Sequence, residues 1–257
     1  MAPLAFITGA SSGIGQALAA RFDDTGWRLA LVARRTSEIE TWANARGMDP
    51  GRYRIYSADV ARIDAIAAAG AACIAVQGVP DVVIANAGIS IGIDTAVRAD
   101  LDVLARTFAV NNIGLAATFH PFVAAMAARG SGRLVGIASV AAVRGLPGHG
   151  AYCASKAGVV SYCESLRGEL RDSGVKVVTI CPGYIDTPLT RGNRYGMPFL
   201  MSAEAFAERA FRVIEAGHGF RTIPWQMGIA AKLLRVLPNP AFDRLLQGRA
   251  RKKRQGE

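Results

Sequence analysis

The chain has 257 residues, of which 51% are apolar and 19% charged, which is enough apolar material for a sizeable core and too little charge for a disordered or repeat-like chain. The formal net charge of +10 is uneven, because from Trp225 onward eight Lys or Arg stand against Asp243 and Glu257, so that +6 of it belongs to the C-terminal end. Cys73, Cys153, Cys163 and Cys181 are scattered, with only three histidines for company, so no metal site is expected and the cysteines read as small buried hydrophobes of a reducing compartment.

The first residues show no basic region followed by an apolar stretch and a cleavage site, and no run of about 18 apolar residues occurs, so a cytoplasmic protein is expected. Residues 4–8 are a short apolar run that predicts a strand. Gly9-Ala10-Ser11-Ser12-Gly13-Ile14-Gly15 follows and leads into a helical pattern through Ala17, Leu18, Ala20 and Phe22. Strand, glycine turn and helix aim free backbone N–H groups and the positive helix end at an anion, for which a pyrophosphate is the natural candidate. Gly9 permits the turn, and Gly13 and Gly15 let backbone and helix approach closely. The spacing differs from the commoner G-x-G-x-x-G, and a glycine cluster by itself is more often just a turn.

A second strand, residues 28–33, ends at Arg34-Arg35. An NAD site would carry a carboxylate there for the ribose 2′-hydroxyl. Two guanidinium groups suit a 2′-phosphate instead, so NADP(H) is the expected cofactor. Next come a helix (38–46), a strand (53–57), a turn with Asp59-Val60, a helix reaching 75, and a strand (81–85) that runs into Asn86-Ala87-Gly88. Alternating strands and helices predict an α/β single-domain Rossmann fold, a doubly wound parallel sheet of about seven strands with helices on both faces. Gly9, Asp59, Asn86, Ser139 and Pro182 then all fall at carboxyl ends of strands, where such sheets bind ligands.

A long helix over 99–128 carries Leu101, Leu104, Phe108 and Leu115 at helical spacing, with Asn111-Asn112-Ile113-Gly114 in its middle. Asn and Gly are poor interior helix residues, so either a kink or bulge, or an amide facing the site, is expected. A strand over 133–138 delivers Ser139. Tyr152 and Lys156, four apart in a helix-favouring segment, project from one face. An ammonium one turn away is expected to draw the phenol from its usual pKa of about 10 toward neutrality. Ser139 could then hold a substrate carbonyl while Tyr152 gives or takes the proton. After a strand over 175–181 come Pro182-Gly183-Tyr184-Ile185-Asp186-Thr187 and a Pro-, Gly- and Arg-containing stretch over 188–201 that reads as a lid. Its cluster Met197-Pro198-Phe199-Leu200-Met201 either meets an apolar substrate body or packs on a neighbouring helix.

Taken together, Thr8-Gly9-x-x-x-Gly13-x-Gly15, Asp59-Val60, Asn86-Ala87-Gly88, Asn111-x-x-Gly114, Ser139, Tyr152-x-x-x-Lys156 and Pro182-Gly183-x-x-x-Thr187 resemble the short-chain dehydrogenase/reductase family, in its compact branch, over nearly the whole chain. The resemblance implies that Tyr152 is the acid–base residue, that Lys156 lowers its pKa and binds the nicotinamide ribose, and that Ser139 orients the carbonyl. It further implies that Asn111 holds a water relaying protons from Lys156. Asp59 would sit by the adenine, Asn86 to Gly88 would line the cleft, and Ile185 and Thr187 would contact the carboxamide. Arg34 matches the basic position of NADP-preferring members. Ala85 stands where many members have a first asparagine, which weakens one hydrogen bond of the sheet and leaves the cofactor contacts.

One domain, 1–248, is expected, with a substrate lid over about 184–216 and a disordered basic tail, 249–257. The function implied is NADPH-dependent hydride transfer between nicotinamide and the carbon of a carbonyl or secondary alcohol. A homodimer or homotetramer is implied, built through the helices that carry Asn111 and Tyr152. A non-catalytic NADP-binding sensor or scaffold is a second reading. In a third, residues 225–254 bring a reductase of lipid-like substrates to an anionic membrane or an acidic carrier protein. The bland counterpart of that third reading is a helix closing the substrate pocket before a solvated end. No nucleic-acid partner is expected, because no aromatic residues interleave the basic cluster.

Overall fold

A computed structural model describes residues 2–193, 195–248 and 250–256. Leu4–Thr8 (β1), Arg28–Ala33 (β2), Tyr53–Ser57 (β3), Val82–Ala85 (β4), Gly132–Ile137 (β5) and Val175–Pro182 (β6) form at the predicted places. Ile185–Asp186 (β7) and Met201–Ser202 (β8) pair with one another, and Phe220–Ile223 (β9) completes the main sheet. That sheet has seven parallel strands in the order β3-β2-β1-β4-β5-β6-β9. Ala5 of β1 faces Leu29 on one side and Val82 on the other. Strand order therefore reverses between β1 and β4, and the crevice beyond their carboxyl ends is the natural ligand position.

The helices are Gly13–Asp24 (α1), Thr36–Arg46 (α2), Ile63–Gln77 (α3), Arg98–Phe108 (α4), Gly114–Arg129 (α5), Gly150–Glu169 (α6), Ala203–Ala216 (α7), Trp225–Val236 (α8) and Asn239–Leu246 (α9). Side chains of a strand alternate between faces, so each strand feeds two cores. On one face Ile7, Leu31 and Ile84 meet Phe22 of α1, Ile39 of α2 and Phe206 of α7. On the other, Phe6, Val83 and Leu134 meet Ile66 of α3, Phe119 of α5 and Cys163 of α6. Phe22 contacts the rings of Trp27 and Phe211 edge-on, each with centroids 4.8 Å apart. All four cysteines are buried and free. Among the described residues no helix is long and apolar enough to cross a membrane.

Two expectations are corrected here, and one is met. The helix expected over 99–128 with a kink or bulge in its middle runs as Arg98–Phe108 and Gly114–Arg129 with a π-helical turn, Ala109–Ile113, between them, where the poor helix formers Asn111 and Asn112 fall. The lid is shorter than 184–216, because the β7–β8 pair closes its stem and α7 buries Phe206, Phe211 and Ile214 in the core. Ser202 caps α7, its Oγ accepting the Ala205 N–H at 3.1 Å. The tail is not loose over its described residues, 250–256. Lys253 O accepts the Gly92 N–H at 2.8 Å, and Arg254 Nε donates to Asp100 Oδ2 at 2.7 Å. A buried carboxylate requires a cation or several donors, and Asp100, itself buried, finds its cation in the tail.

Candidate active site

The glycine turn is shaped by contacts that leave no room for side chains. Gly9 and Gly13 have φ of 69° and 56°, the left-handed region that glycine enters freely. A Cβ on Gly15 would overlap the Gly9 carbonyl oxygen and lie 2.5 Å from Asn86 Nδ2. The Ser12 side chain makes no capping hydrogen bond at the start of α1, so the helix N-terminus presents its N–H groups to the crevice. Asn86 ties the two central strands together, its Nδ2 donating to Thr8 O at 2.9 Å. Thr8 Oγ1 accepts the N–H groups of Asn86 and Ala87 at 3.1 and 3.2 Å. Ala85, in place of the first asparagine, packs in an apolar layer with 3% of its surface exposed.

Gly9, Ser11, Ser12, Gly13, Ile14, Arg34, Arg35, Asp59, Val60, Asn86, Ala87, Gly88, Ser139, Tyr152, Lys156, Pro182, Gly183, Ile185 and Thr187 line one cavity of about 420 Å³. Gly15 is buried beneath its floor, and the buried Asn111 stands behind Gly88 of its wall. Arg34 is exposed, with Nη1 3.7 Å from Asp59 Oδ2, and Arg35 Nε lies 2.9 Å from Glu38 Oε1. The chemistry of this donor set fits a dinucleotide, with free N–H groups and glycines placed for a pyrophosphate.

Lys156 is buried, and its Nζ donates to Ile137 O at 2.7 Å while lying 5.9 Å from the centroid of the Tyr152 ring. Burial lowers its pKa from 10.5 to about 8. The Tyr152 phenol moves opposite to expectation. Burial pushes it up to about 12, although a hydrogen bond from Ser139 pulls downward. The ammonium turned toward the Ile137 carbonyl does not offset the loss of water around the ring, and desolvation prevails. Ser139 also caps the short 3-10 turn Val140–Ala142, its Oγ accepting the Ala141 N–H at 3.1 Å.

Asn111 uses its whole carboxamide. Its Nδ2 donates to Ile89 O at 3.0 Å and to Ser155 Oγ at 2.9 Å, and its Oδ1 accepts the Ile89 N–H at 2.9 Å. Ser155 Oγ in turn donates to Tyr152 O at 2.8 Å. The π turn therefore aims a side chain that fixes both the loop after β4 and the first turns of α6. Gly88 lies between Asn111 and Lys156: a Cβ there would be 3.3 Å from Asn111 Oδ1 and 3.5 Å from Lys156 Nζ. Thr8, Ile89 and Ser155 were not among the expected site residues. Ser155 had a visible signal, a hydroxyl three residues past Tyr152 in the same helix, and Thr8 had one in closing a strand before the glycine turn.

A second, larger cavity of about 1260 Å³ adjoins the first, and Ser139, Tyr152, Gly183, Leu189 and Thr190 border both. Met197 and Pro198 of the lid line it, whereas Phe199 and Leu200 are exposed. His149 Nε2 lies 3.2 Å from Tyr195 Oη on its wall. Fold and crevice together define the dinucleotide-binding class of doubly wound domains.

Known proteins narrow that class. The model of the short chain dehydrogenase family matches residues 3–197. An uncharacterized oxidoreductase of Myxococcus xanthus is 37% identical over 242 residues, 93% of this chain and 94% of its own. A D-threitol dehydrogenase of Mycolicibacterium smegmatis is 36% identical over 186 residues, 72% of this chain and 71% of its own. Among solved structures, a 3-ketoacyl-(acyl-carrier-protein) reductase from Brucella melitensis complexed with NADH superposes with a TM-score of 0.77 at 27% identity, covering 86% of this chain and 96% of that one. The chain belongs to the short-chain dehydrogenase/reductase family of oxidoreductases.

Proposed function

We propose that this protein transfers a hydride between NADP(H) and the carbon of a carbonyl or secondary alcohol, with Tyr152 as the acid–base residue. The observation that carries the reading is that Ser139 and Tyr152 form the shared wall of the two cavities. An oxygen held there from the substrate side faces the cofactor side. The cofactor, when bound, supplies or accepts the hydride. Gly9, Ser11, Ser12, Gly13 and Ile14 would hold its pyrophosphate, Asp59 and Val60 its adenine, and Pro182, Gly183, Ile185 and Thr187 its carboxamide. Arg34 and Arg35 favour the 2′-phosphate because both guanidiniums are exposed on the cavity's edge, where a phosphate would compete for them with Asp59 at 3.7 Å and Glu38 at 2.9 Å.

The titration properties suit reduction. A phenol held near 12 is protonated at neutral pH, so Tyr152 is ready to donate to a carbonyl oxygen that Ser139 also hydrogen-bonds. Lys156 is still an ammonium below about 8 and stabilises the phenolate left behind. Asn111 acts as a positioning residue through Ile89 and Ser155, and its proximity to Lys156 across Gly88 is compatible with a water relay between them. The test is Tyr152→Phe, assayed by NADPH absorbance over a broad panel of ketones and aldehydes. Turnover should fall by roughly 10²–10⁴-fold, the usual contribution of general acid–base catalysis, while NADPH affinity stays within a few fold. Turnover by the variant at the wild-type rate would refute the assignment.

A further inference from the structure

The larger cavity has an uneven distribution of charge. Its walls are apolar, with Leu146, Met197, Leu234, Phe242 and Leu246 drawn from separate segments, and among the described residues none that lines it is Asp or Glu. Burial lowers the pKa of His149 on the wall, opposed by its hydrogen bond to Pro147 O and aided by the nearby Lys252 charge. Among the described residues the formal charges on its lining are Arg144 and Lys252. Arg144 is fully employed: it donates to Leu237 O at 2.7 Å and Asn239 Oδ1 at 2.8 Å, and its guanidinium lies 3.8 Å over the Phe242 ring. It thereby fastens the end of α8 to α9.

Lys252 is different. Its Nζ donates to two neutral acceptors, Leu189 O at 3.1 Å and Asn193 Oδ1 at 2.7 Å. An ammonium has three donors, and among the described residues no carboxylate pairs with this one. Burial alone lowers its pKa. Its backbone is nonetheless held firmly, with Lys253 O on the Gly92 N–H and Arg254 on the buried Asp100 carboxylate. A half-buried cation on an apolar wall, fixed in place and lacking an anion, is a preformed half of an ion pair.

We propose that Lys252 is a specificity-determining residue that holds the carboxylate head of an amphiphilic substrate, whose extended apolar body fills the larger cavity and brings its carbonyl or hydroxyl to Ser139 and Tyr152. The assignment rests on the proposed oxidoreductase function for the reacting end but concerns the other end of the molecule. It is tested without turnover, by calorimetric titration of the full chain at pH 7 with dodecanoate and with dodecanamide, its neutral counterpart, neither of which carries a ketone or a secondary alcohol. Dodecanoate should bind at least about tenfold more tightly, in keeping with a hydrogen bond to a charged partner. In Lys252→Met the ratio should fall to near one with dodecanamide affinity unchanged, and Lys252→Arg should retain it. No binding of either ligand, a wild-type ratio near one, or an unchanged ratio in Lys252→Met would overturn the assignment. Loss of dodecanamide binding in Lys252→Met with unaltered thermal stability would overturn it too, since Lys252 would then be shaping the cavity. A protein that prefers dodecanoate yet keeps full turnover as Tyr152→Phe would retain this site and lose the catalytic assignment.

Discussion

Replacing Lys156 with Met should make the protein more stable at neutral pH while removing its activity. Burial lowers the Lys156 pKa from 10.5 to about 8, so the fold binds this proton more weakly than the unfolded chain does. The ammonium form is accordingly penalised by about 3 kcal/mol, at roughly 1.4 kcal/mol per pKa unit. The penalty is present in full below about 8, shrinks as pH rises toward 10.5, and vanishes above it, because over that window the unfolded chain holds more protons than the native state. Against it stands the hydrogen bond from Nζ to Ile137 O, worth about 1 kcal/mol. Met fills a similar volume without charge, which leaves the variant about 2 kcal/mol more stable at pH 7. Urea unfolding of both proteins at pH 7 and at about pH 9.5 would measure the difference, and linkage requires the advantage to shrink by roughly 2 kcal/mol over that interval. An advantage that stays flat with pH, or a variant less stable than the wild type at pH 7, would refute the reasoning.

Two further outcomes are expected. Arg34→Ala with Arg35→Ala should weaken NADPH binding by about tenfold or more while leaving NADH within about twofold, because exposed guanidinium–phosphate contacts each contribute modestly. Fluorescence titration with both cofactors decides it, and an equal loss for the two would remove the 2′-phosphate reading. Gly15→Ala should lower both cofactor affinity and thermal stability, since the new Cβ would press on the Gly9 carbonyl and on Asn86 Nδ2 at 2.5 Å. Backbone cannot yield as a flexible side chain does, so a loss of about 1–3 kcal/mol is expected in chemical denaturation. Unchanged stability and affinity would mean that the turn is less closely packed than described.

Much of this architecture is legible in the sequence because central strands of a parallel sheet are buried on both sides and read as unbroken apolar runs, as in residues 4–8 and 82–85. The strand Phe220–Ile223 carries no such mark. It lies at the edge, its Phe220 and Arg221 are exposed, and only Ile223 is buried. The spacing of Phe206, Ala207, Ala210, Phe211 and Ile214 is that of a buried helical face, and it marks where the lid must end. Residue spacing brings Tyr152 and Lys156 to one side of a helix but does not report how much water the fold removes from them, and so the direction of the Tyr152 shift is not readable from it. The tail is illegible for another reason: its partners, Gly92, Asp100, Leu189 and Asn193, lie far away in sequence, and a run of like charges says only that carboxylates and carbonyls will be sought.

The widened turn at Ala109–Ile113 couples two needs that would otherwise compete. A regular α-helix advances by about 100° per residue, so straightening this turn by removing one residue would swing everything after it through about that angle. Phe119 and Phe122, both fully enclosed, would be carried off the sheet at the same stroke that withdrew Asn111 from Ile89 and Ser155. The irregularity cannot be ironed out in favour of a better helix without dismantling the interior beneath it, and the wall between the two cavities is thereby guarded by the same residues that keep the domain folded.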